Sequence, residues 1–276
     1  MTVDLAYSPC PNDTAAFYAA RAGLVNGPEF TVSHADVETL NRRAVERARH
    51  EVTKLSFGAL PYVLEDYALL RSGAALGDSA GPVVVSRDDL SPEEVDADAD
   101  VVVPGRHTTA YLLARARLEE VGDVDEARYD DVLSLVAEGE YDVGVVIHEG
   151  RFTYPDYGLN LVVDLGEWWD TETGLPLPLG CMAVRRDVDR PREIDEALRE
   201  SVEYALSEPD DDGLAAYVRE HAQEMDEGVL ERHVSTYVNR HSTGLEGESR
   251  EAVSKLLEFG VELGLLPDSP ASLYAY

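Results

Sequence analysis

The chain has 276 residues, with 55 Asp and Glu against 23 Lys and Arg and a formal net charge of −32. A chain of this length can bury a large core and form either one large domain or two lobes. Its charge would repel nucleic acid and anionic membrane surfaces, so we expect neither as a partner. Because the acids are spread along the chain, we interpret them as a solvated shell typical of a salt-rich cytoplasm.

Cysteine spacing and hydropathy exclude further classes of protein. The two cysteines, Cys10 and Cys181, have no spacing typical of metal ligands. The chain does not open with a basic segment followed by an apolar one, as a signal peptide would. Its apolar runs fall short of the roughly 18 residues of a membrane span. We therefore expect a soluble, cytoplasmic protein without a metal site.

The first strand leads into an unusual loop. Val3–Tyr7 is predicted to be a strand, and the loop SPCPNDT (Ser8–Thr14) follows it, with two prolines that favour extended backbone. One of the side chains of Asn12–Thr14 is expected to cap the next helix. Free N–H groups at a helix start suit a carboxylate. Ser8 and Asn12 therefore either reach a ligand or only shape the turn and cap the helix.

Strands and helices then alternate. Further predicted strands are Phe30–Ser33, Thr53–Gly58 with its glycine turn, Pro82–Ser86, Val101–Val103, Val143–Ile147, Leu161–Leu165 and Cys181–Arg185. Helices are predicted from Val37 to Ala48 after a cap near Asp36, from about Thr108, from Tyr129 to a stop at Gly139, and repeatedly after Leu198. The alternation predicts a mainly parallel α/β sheet.

The middle of the chain is predicted to form a separate lobe. We divide the chain into an outer lobe of residues 1–86 plus 181–276 and an inserted α/β lobe of residues 87–180. The strands Pro82–Ser86 and Cys181–Arg185 would be the two crossings, with a cleft between the lobes. The apolar segment 167–180 is predicted to be a loop over a cavity. Its Trp168 and Trp169 either stack on a ligand ring or, more commonly for tryptophan, pack in the core.

His148 is the first candidate for a reacting group. It follows a short β-branched run that reads as a strand buried on both faces. Ligands of open α/β sheets bind just beyond the carboxyl ends of such strands. A lone histidine is more often structural than catalytic, but this position makes a functional role as well supported as a structural one. The following residues, HEGRF, do not match the zinc motif HExxH.

Two other segments suit a small carboxylate. Lys54 is one of only two lysines, and it stands with Leu55 and Ser56 at a strand end. It either faces a ligand or is a residual lysine of no special role. Thr108 and Thr109 start a helix, where hydroxyl and free N–H groups bind a carboxylate or simply cap the helix.

The remaining polar candidates are assigned no role. Cys10 is a poor candidate for a nucleophile, because it lies between prolines and no histidine neighbours it in sequence. Five histidines are interpreted as surface or helix-face residues: His34, His50, His221, His233 and His241. From the residues alone, the chain is a two-lobed α/β protein that binds a small carboxylate, with His148 as a candidate base.

Seven segments, in order, resemble a known family. They are SPCPNDT (Ser8–Thr14), DVETLN (Asp36–Asn41), TKLSFGA (Thr53–Ala59), GPVVV (Gly81–Val85), VPGRHTTA (Val103–Ala110), GVVIHEGRFTYPDYGL (Gly144–Leu159) and DLGEWWDTETGLPLPLG (Asp164–Gly180). Together they resemble the 1,4-dihydroxy-6-naphthoate synthases of the futalosine route to menaquinone. Ala15 and Ala16 depart from the large apolar residues usual there.

The resemblance implies a fold like that of type II periplasmic binding proteins, with the ligand between the lobes. It implies a carbon–carbon lyase that converts cyclic dehypoxanthine futalosine to 1,4-dihydroxy-6-naphthoate without a metal or organic cofactor. His148 matches the proposed base of the family, and a neutral imidazole with a pKa of about 6.5 suits proton abstraction. The positions that match its substrate contacts are Lys54, Leu55, Ser56, Thr108 and Thr109.

Two alternatives stay open at this point. One is a binding protein of the same fold without catalysis, against which the absence of a signal peptide and the position of His148 argue. The other is chorismate dehydratase, an enzyme of related fold in the same route, whose pattern the segments SPCPNDT and IHEGRFTY do not fit. The sequence also leaves open whether the protein is a homodimer.

We expect the melting temperature to rise between dilute buffer and molar KCl. Counterions screen the mutual repulsion in a chain with a net charge of −32. Circular-dichroism melts over a KCl series measure the effect, and a sucrose series controls for changes in solvent activity. A melting temperature that stays constant in KCl would contradict the interpretation of a salt-adapted surface.

Overall fold

The computed structural model describes residues 2–118, 121–208, 211–222 and 226–276. The strands are β1 (Thr2–Tyr7), β2 (Glu29–His34), β3 (Val52–Ser56), β4 (Tyr67–Leu69), β5 (Ala75–Gly77), β6 (Val83–Ser86), β7 (Val101–Val103), β8 (Val124–Glu126), β9 (Val143–Val146), β10 (Asn160–Asp164) and β11 (Leu177–Arg185). The helices are α1 (Pro11–Arg21), α2 (Val37–Arg47), α3 (Leu60–Val63), α4 (Thr109–Arg117), α5 (Val132–Glu138), α6 (Gly150–Thr153), α7 (Leu165–Thr173), α8 (Pro191–Ser207), α9 (Asp212–His221), α10 (Glu227–Tyr237), α11 (Arg240–Thr243) and α12 (Glu248–Glu262). Within these ranges, every helix is too short or too polar to cross a bilayer.

The strands form two sheets, both of mixed direction. The first has the order β2-β1-β3-β11-β4, with β5 also paired to β11, and the second has the order β10-β6-β9-β7-β8. Strand β1 is parallel to β2 and β3, whereas β11 is antiparallel to its three neighbours. In the second sheet β7 is parallel to β8 and β9, but β6 is antiparallel to β9 and β10. The prediction of a mainly parallel arrangement is wrong, because β6 and β11 each enter their sheet from the opposite end after the chain has crossed from the other sheet.

The two strands expected to cross between lobes lie inside the sheets. Val83–Ser86 lies between β10 and β9, and β11, which contains Cys181–Arg185, lies between β3 and β4. The chain passes from one sheet to the other just before each of them. The division into residues 1–86 plus 181–276 and residues 87–180 stays a prediction. It assigns Val83–Ser86 to the outer lobe, whereas this strand belongs to the second sheet.

Strand β9 is buried along its whole length, as the valine-rich run predicted. All residues of Val143–Val146 are buried. Val136 of α5 packs closely over β9, since a Cβ atom at Gly144 would lie 2.6 Å from it. A glycine is therefore required at this point, because a side chain would collide with α5.

Helix caps explain several element boundaries. The side chains of Asp36 and Thr108 accept hydrogen bonds from Thr39 N and Tyr111 N, which confirms both predicted helix starts. The predicted cap at Asn12–Thr14 is wrong. Helix α1 already begins at Pro11, a residue that favours the first helical position, so Asn12–Thr14 form its first turn.

Part of the segment expected to be a loop is a helix. Asp164 accepts hydrogen bonds from Gly166 N and Glu167 N and so starts α7, which runs to Thr173. Trp169, at 1% exposure, packs in the core. The sequence also missed α3, β4, β5 and β8, because elements of three or four residues show no measurable periodicity.

Candidate active site

A cleft lies where residues of both sheets meet. It contains all eight residues predicted for the site: Ser8, Asn12, Lys54, Leu55, Ser56, Thr108, Thr109 and His148. They follow the carboxyl ends of β1, β3, β7 and β9 or lie there, as expected for α/β sheets. Asp13, Tyr237 and Leu179 also line the cleft and were not predicted.

His148 stands on a strained turn after β9. Its φ of +56° lies in the left-handed region, which residues other than glycine rarely adopt. The ring packs edge-on against Tyr129, with a centroid distance of 4.8 Å. Burial lowers the pKa of His148 from its ordinary value of 6.5 to about 4. The imidazole is therefore neutral at pH 7.

Cys10 contacts His148 across 138 positions of sequence. Its Sγ atom lies 3.2 Å from Nδ1 and 3.9 Å from Nε2 of that histidine. The pair could not be predicted from the sequence, because the two residues come together only when the fold places the ends of β1 and β9 side by side. Burial holds the pKa of the Cys10 thiol well above its usual range, so it stays protonated and is not an activated nucleophile.

A buried ion pair closes one side of the cleft. Asp13 Oδ1 lies 2.8 Å from Nζ of Lys54, and both side chains are almost fully buried. The Lys54 ammonium also donates to Gly73 O at 3.0 Å, and the Ser8 hydroxyl donates to Asp13 Oδ2 at 2.7 Å. Lys54 therefore faces the cleft, but Asp13 compensates its charge. Ser8 uses its hydroxyl proton within the loop, which favours a role in shaping the turn.

The two threonines at the start of α4 are also engaged within the protein. Thr108 donates its hydroxyl proton to Gly105 O and accepts from Tyr111 N. Thr109 donates to Leu179 O at 3.0 Å and accepts from Gly58 N at 3.1 Å. Their hydroxyl protons are therefore not available to a carboxylate. The first backbone N–H groups of α4 remain suitable donors there.

Ser56 is held as a hydrogen-bond donor toward the cleft. Asn41 Nδ2 donates to its Oγ at 3.1 Å, and Asn41 Oδ1 accepts from Ser56 N at 2.9 Å. The same Nδ2 donates to Glu38 Oε2 at 3.2 Å, which fixes the orientation of the amide. Because Ser56 Oγ accepts from Asn41, the hydroxyl can direct its own proton at a ligand. Asn41 lies in the segment DVETLN, but only its spatial contact reveals this role.

Helix α10 contributes Tyr237 to the lining of the cleft and His233 as a contact of Asn12. Tyr237 lines the cleft, and burial raises its pKa to about 12, so it is a neutral hydroxyl. His233 is fully buried, contrary to the interpretation as a surface or helix-face residue. Its Nε2 donates to Asn12 Oδ1 at 2.9 Å. His50 and His241 are likewise buried.

The described residues do not provide a set of metal ligands. Over the described ranges, there is no group of three or more His, Cys, Asp or Glu side chains that could hold a metal ion. The cleft instead offers uncharged donors, one compensated ion pair and a neutral imidazole. This combination suits an organic ligand that carries oxygen atoms and a removable proton.

Superposition on solved structures identifies the fold. The alkanesulfonate-binding protein SsuA of Xanthomonas axonopodis pv. citri superposes with a TM-score of 0.70 at 11% identity, over 99% of this chain and 96% of that one. A protein of Archaeoglobus fulgidus superposes with a TM-score of 0.88 at 35% identity, over 96% and 98% of the two chains. The fold is therefore that of the periplasmic binding proteins, as predicted.

Sequence comparison assigns the family. Residues 3–262 match the family model described as menaquinone biosynthesis. The 1,4-dihydroxy-6-naphthoate synthase of Thermus thermophilus is 48% identical over 98% of both chains. That of Streptomyces coelicolor is 41% identical over 96% of this chain and 95% of its own. The chain belongs to the menaquinone biosynthesis family, which confirms the family named from the seven segments.

We expect replacement of one partner of the Lys54–Asp13 pair to destabilise the fold by about 3–5 kcal/mol, because it leaves a buried charge uncompensated. Lys54→Met and Asp13→Asn are the single changes, and the double variant removes both charges. Urea unfolding at constant KCl measures the free energies. The double variant should lose less stability than the two single variants combined; strict additivity would contradict a coupled pair.

Proposed function

We propose that the protein is a carbon–carbon lyase that converts cyclic dehypoxanthine futalosine to 1,4-dihydroxy-6-naphthoate, with His148 as the general base. One observation carries the proposal. A neutral imidazole stands at the end of β9 in the cleft, in a chain 48% identical to a 1,4-dihydroxy-6-naphthoate synthase. As a biosynthetic enzyme it would work in the cytoplasm.

The chemistry required of the protein is limited. The substrate loses a proton next to a carbonyl group, fragments and becomes aromatic, and aromatisation supplies driving force. The protein then needs a base, an anchor for the carboxylate and a cleft that excludes water. Burial keeps His148 neutral and so able to accept a proton, although its lowered pKa of about 4 makes it a weaker base.

The anchor for the carboxylate is proposed at the start of α4. The backbone N–H groups of Thr109 and Ala110 point out of the first turn, and the Ser56 hydroxyl supplies a further donor. Lys54 contributes less than its charge suggests, because Asp13 lies 2.8 Å away. Thr108 and Thr109 then act mainly through their backbone and by fixing the helix start.

Two other functions are weighed against this one. A binding protein without catalysis would share the fold but would not need a neutral histidine beside the ligand. Chorismate dehydratase is less consistent with relatives named as naphthoate synthases at 48% and 41% identity. Incubation of the purified protein with cyclic dehypoxanthine futalosine and, separately, with chorismate distinguishes all three.

Replacement of His148 by asparagine should lower kcat by at least about 100-fold and leave substrate affinity nearly unchanged. Asparagine is the appropriate change, because it tolerates the left-handed backbone at φ +56° better than alanine does. Turnover is followed by product absorbance and affinity by calorimetry. Near-normal turnover by a folded His148→Asn variant would refute the base assignment.

The pH profile provides a separate test. Because the pKa of His148 is lowered to about 4, its neutral form persists well below pH 6.5. We expect kcat/KM to fall only as the pH decreases through about 4, measured at constant KCl with a check of folding at each pH. If kcat/KM instead decreased with a midpoint near pH 6.5, the group that titrates would not be the imidazole of His148.

A further inference from the structure

The tautomer of His233 follows from a chain of hydrogen bonds. The Asp13 carboxylate can only accept, so the group that approaches it at 3.0 Å is the NH₂ of Asn12. The other atom of that amide, Oδ1, is then an acceptor, and His233 Nε2 lies 2.9 Å from it. Nε2 therefore carries the proton, and the lone pair of neutral His233 is on Nδ1.

His233 Nδ1 is placed to receive a proton. This atom is buried without a hydrogen-bond partner in the described part of the chain, in a side chain with 0% exposure. Glu149 Oε2 lies 3.8 Å from it, so a proton on Nδ1 would face a carboxylate. A buried polar nitrogen without a partner is costly and calls for an explanation other than packing.

His233 is also next to the proposed base. The ring centroids of His148 and His233 are 6.0 Å apart, and Glu149 directly follows His148 in the chain. That separation is too long for a direct hydrogen bond between the rings, so a proton would pass between them across one water molecule. Burial lowers the pKa of both imidazoles, and a charge on His148 lowers that of His233 further. Both rings are therefore neutral at rest, and a positive charge on one disfavours a second charge on the other.

We infer that His233 Nδ1 is a second proton-holding site, which receives from His148 the proton that His148 removes from the substrate. The N–H bond on His148 breaks and one forms on His233 Nδ1, so His148 becomes neutral again and the positive charge lies beside Glu149. The proton leaves to water when the cleft opens. No other reactant is needed. The inference rests on the proposed function of His148, and His233 acts through that residue without touching substrate.

Rapid-quench kinetics of His233→Gln test the inference. Glutamine keeps an N–H donor for Asn12 but has no nitrogen that can take up a proton. We expect a first turnover at the wild-type rate, seen as a burst of one product per site, followed by a steady state slowed at least about tenfold. His241→Gln is the matched control, because His241 is a buried histidine hydrogen-bonded to Ser249, away from the cleft.

The outcomes separate this inference from the proposed function. A steady state of wild-type rate in His233→Gln would overturn it, and so would equal loss of burst and steady state, which indicates a purely structural role. Retention of the burst in His148→Asn would instead refute His148 as the base. If His233→Gln does not fold, Glu149→Gln carries the same test, because it removes the carboxylate that faces Nδ1.

Discussion

The pairing of Asp13 with Lys54 is the interaction on which the cleft depends. It joins the first turn of α1 to the middle of β3, and through Asn12 it also reaches His233 on α10. Removing two charges from water is costly, so such a pair persists only when other hydrogen bonds complete it. Ser8 and Gly73 provide these bonds. Segments far apart in sequence are thereby held in one geometry around the ligand space.

The sequence predicted the place of the site better than its internal bonding. Residues at the carboxyl ends of strands, such as Ser56 and His148, could be located because strand ends are visible as apolar runs that stop. For the hydroxyl groups of the loop and the helix start, the sequence left open whether they bind a ligand or only shape the turn and cap the helix. The structure shows that those of Ser8, Thr108 and Thr109 already donate within the protein. Only three-dimensional contacts reveal which donors are already used.

Other features were not predictable, for identifiable physical reasons. The direction of β6 and β11 depends on how the chain crosses between sheets, which periodicity does not record. The contact of Cys10 with His148 spans 138 positions. The lowered pKa of His148 results from burial by residues from several elements, and no local pattern carries that information. Helix α7 was missed because the predicted strand Leu161–Leu165 included Asp164, the residue that caps this helix.

The compensated charge of Lys54 also affects how an anion reaches the cleft. At distances beyond a few ångströms, the pair with Asp13 is nearly neutral, so the field felt by an approaching ligand comes from a molecule with a net charge of −32. That field opposes the diffusional encounter with an anion, and its range is the Debye length, about 8 Å at 0.15 M salt. The association rate constant for an anionic ligand should therefore increase with ionic strength. This effect is the reverse of electrostatic steering. The protein should therefore bind an anionic ligand faster in a concentrated electrolyte than in dilute buffer.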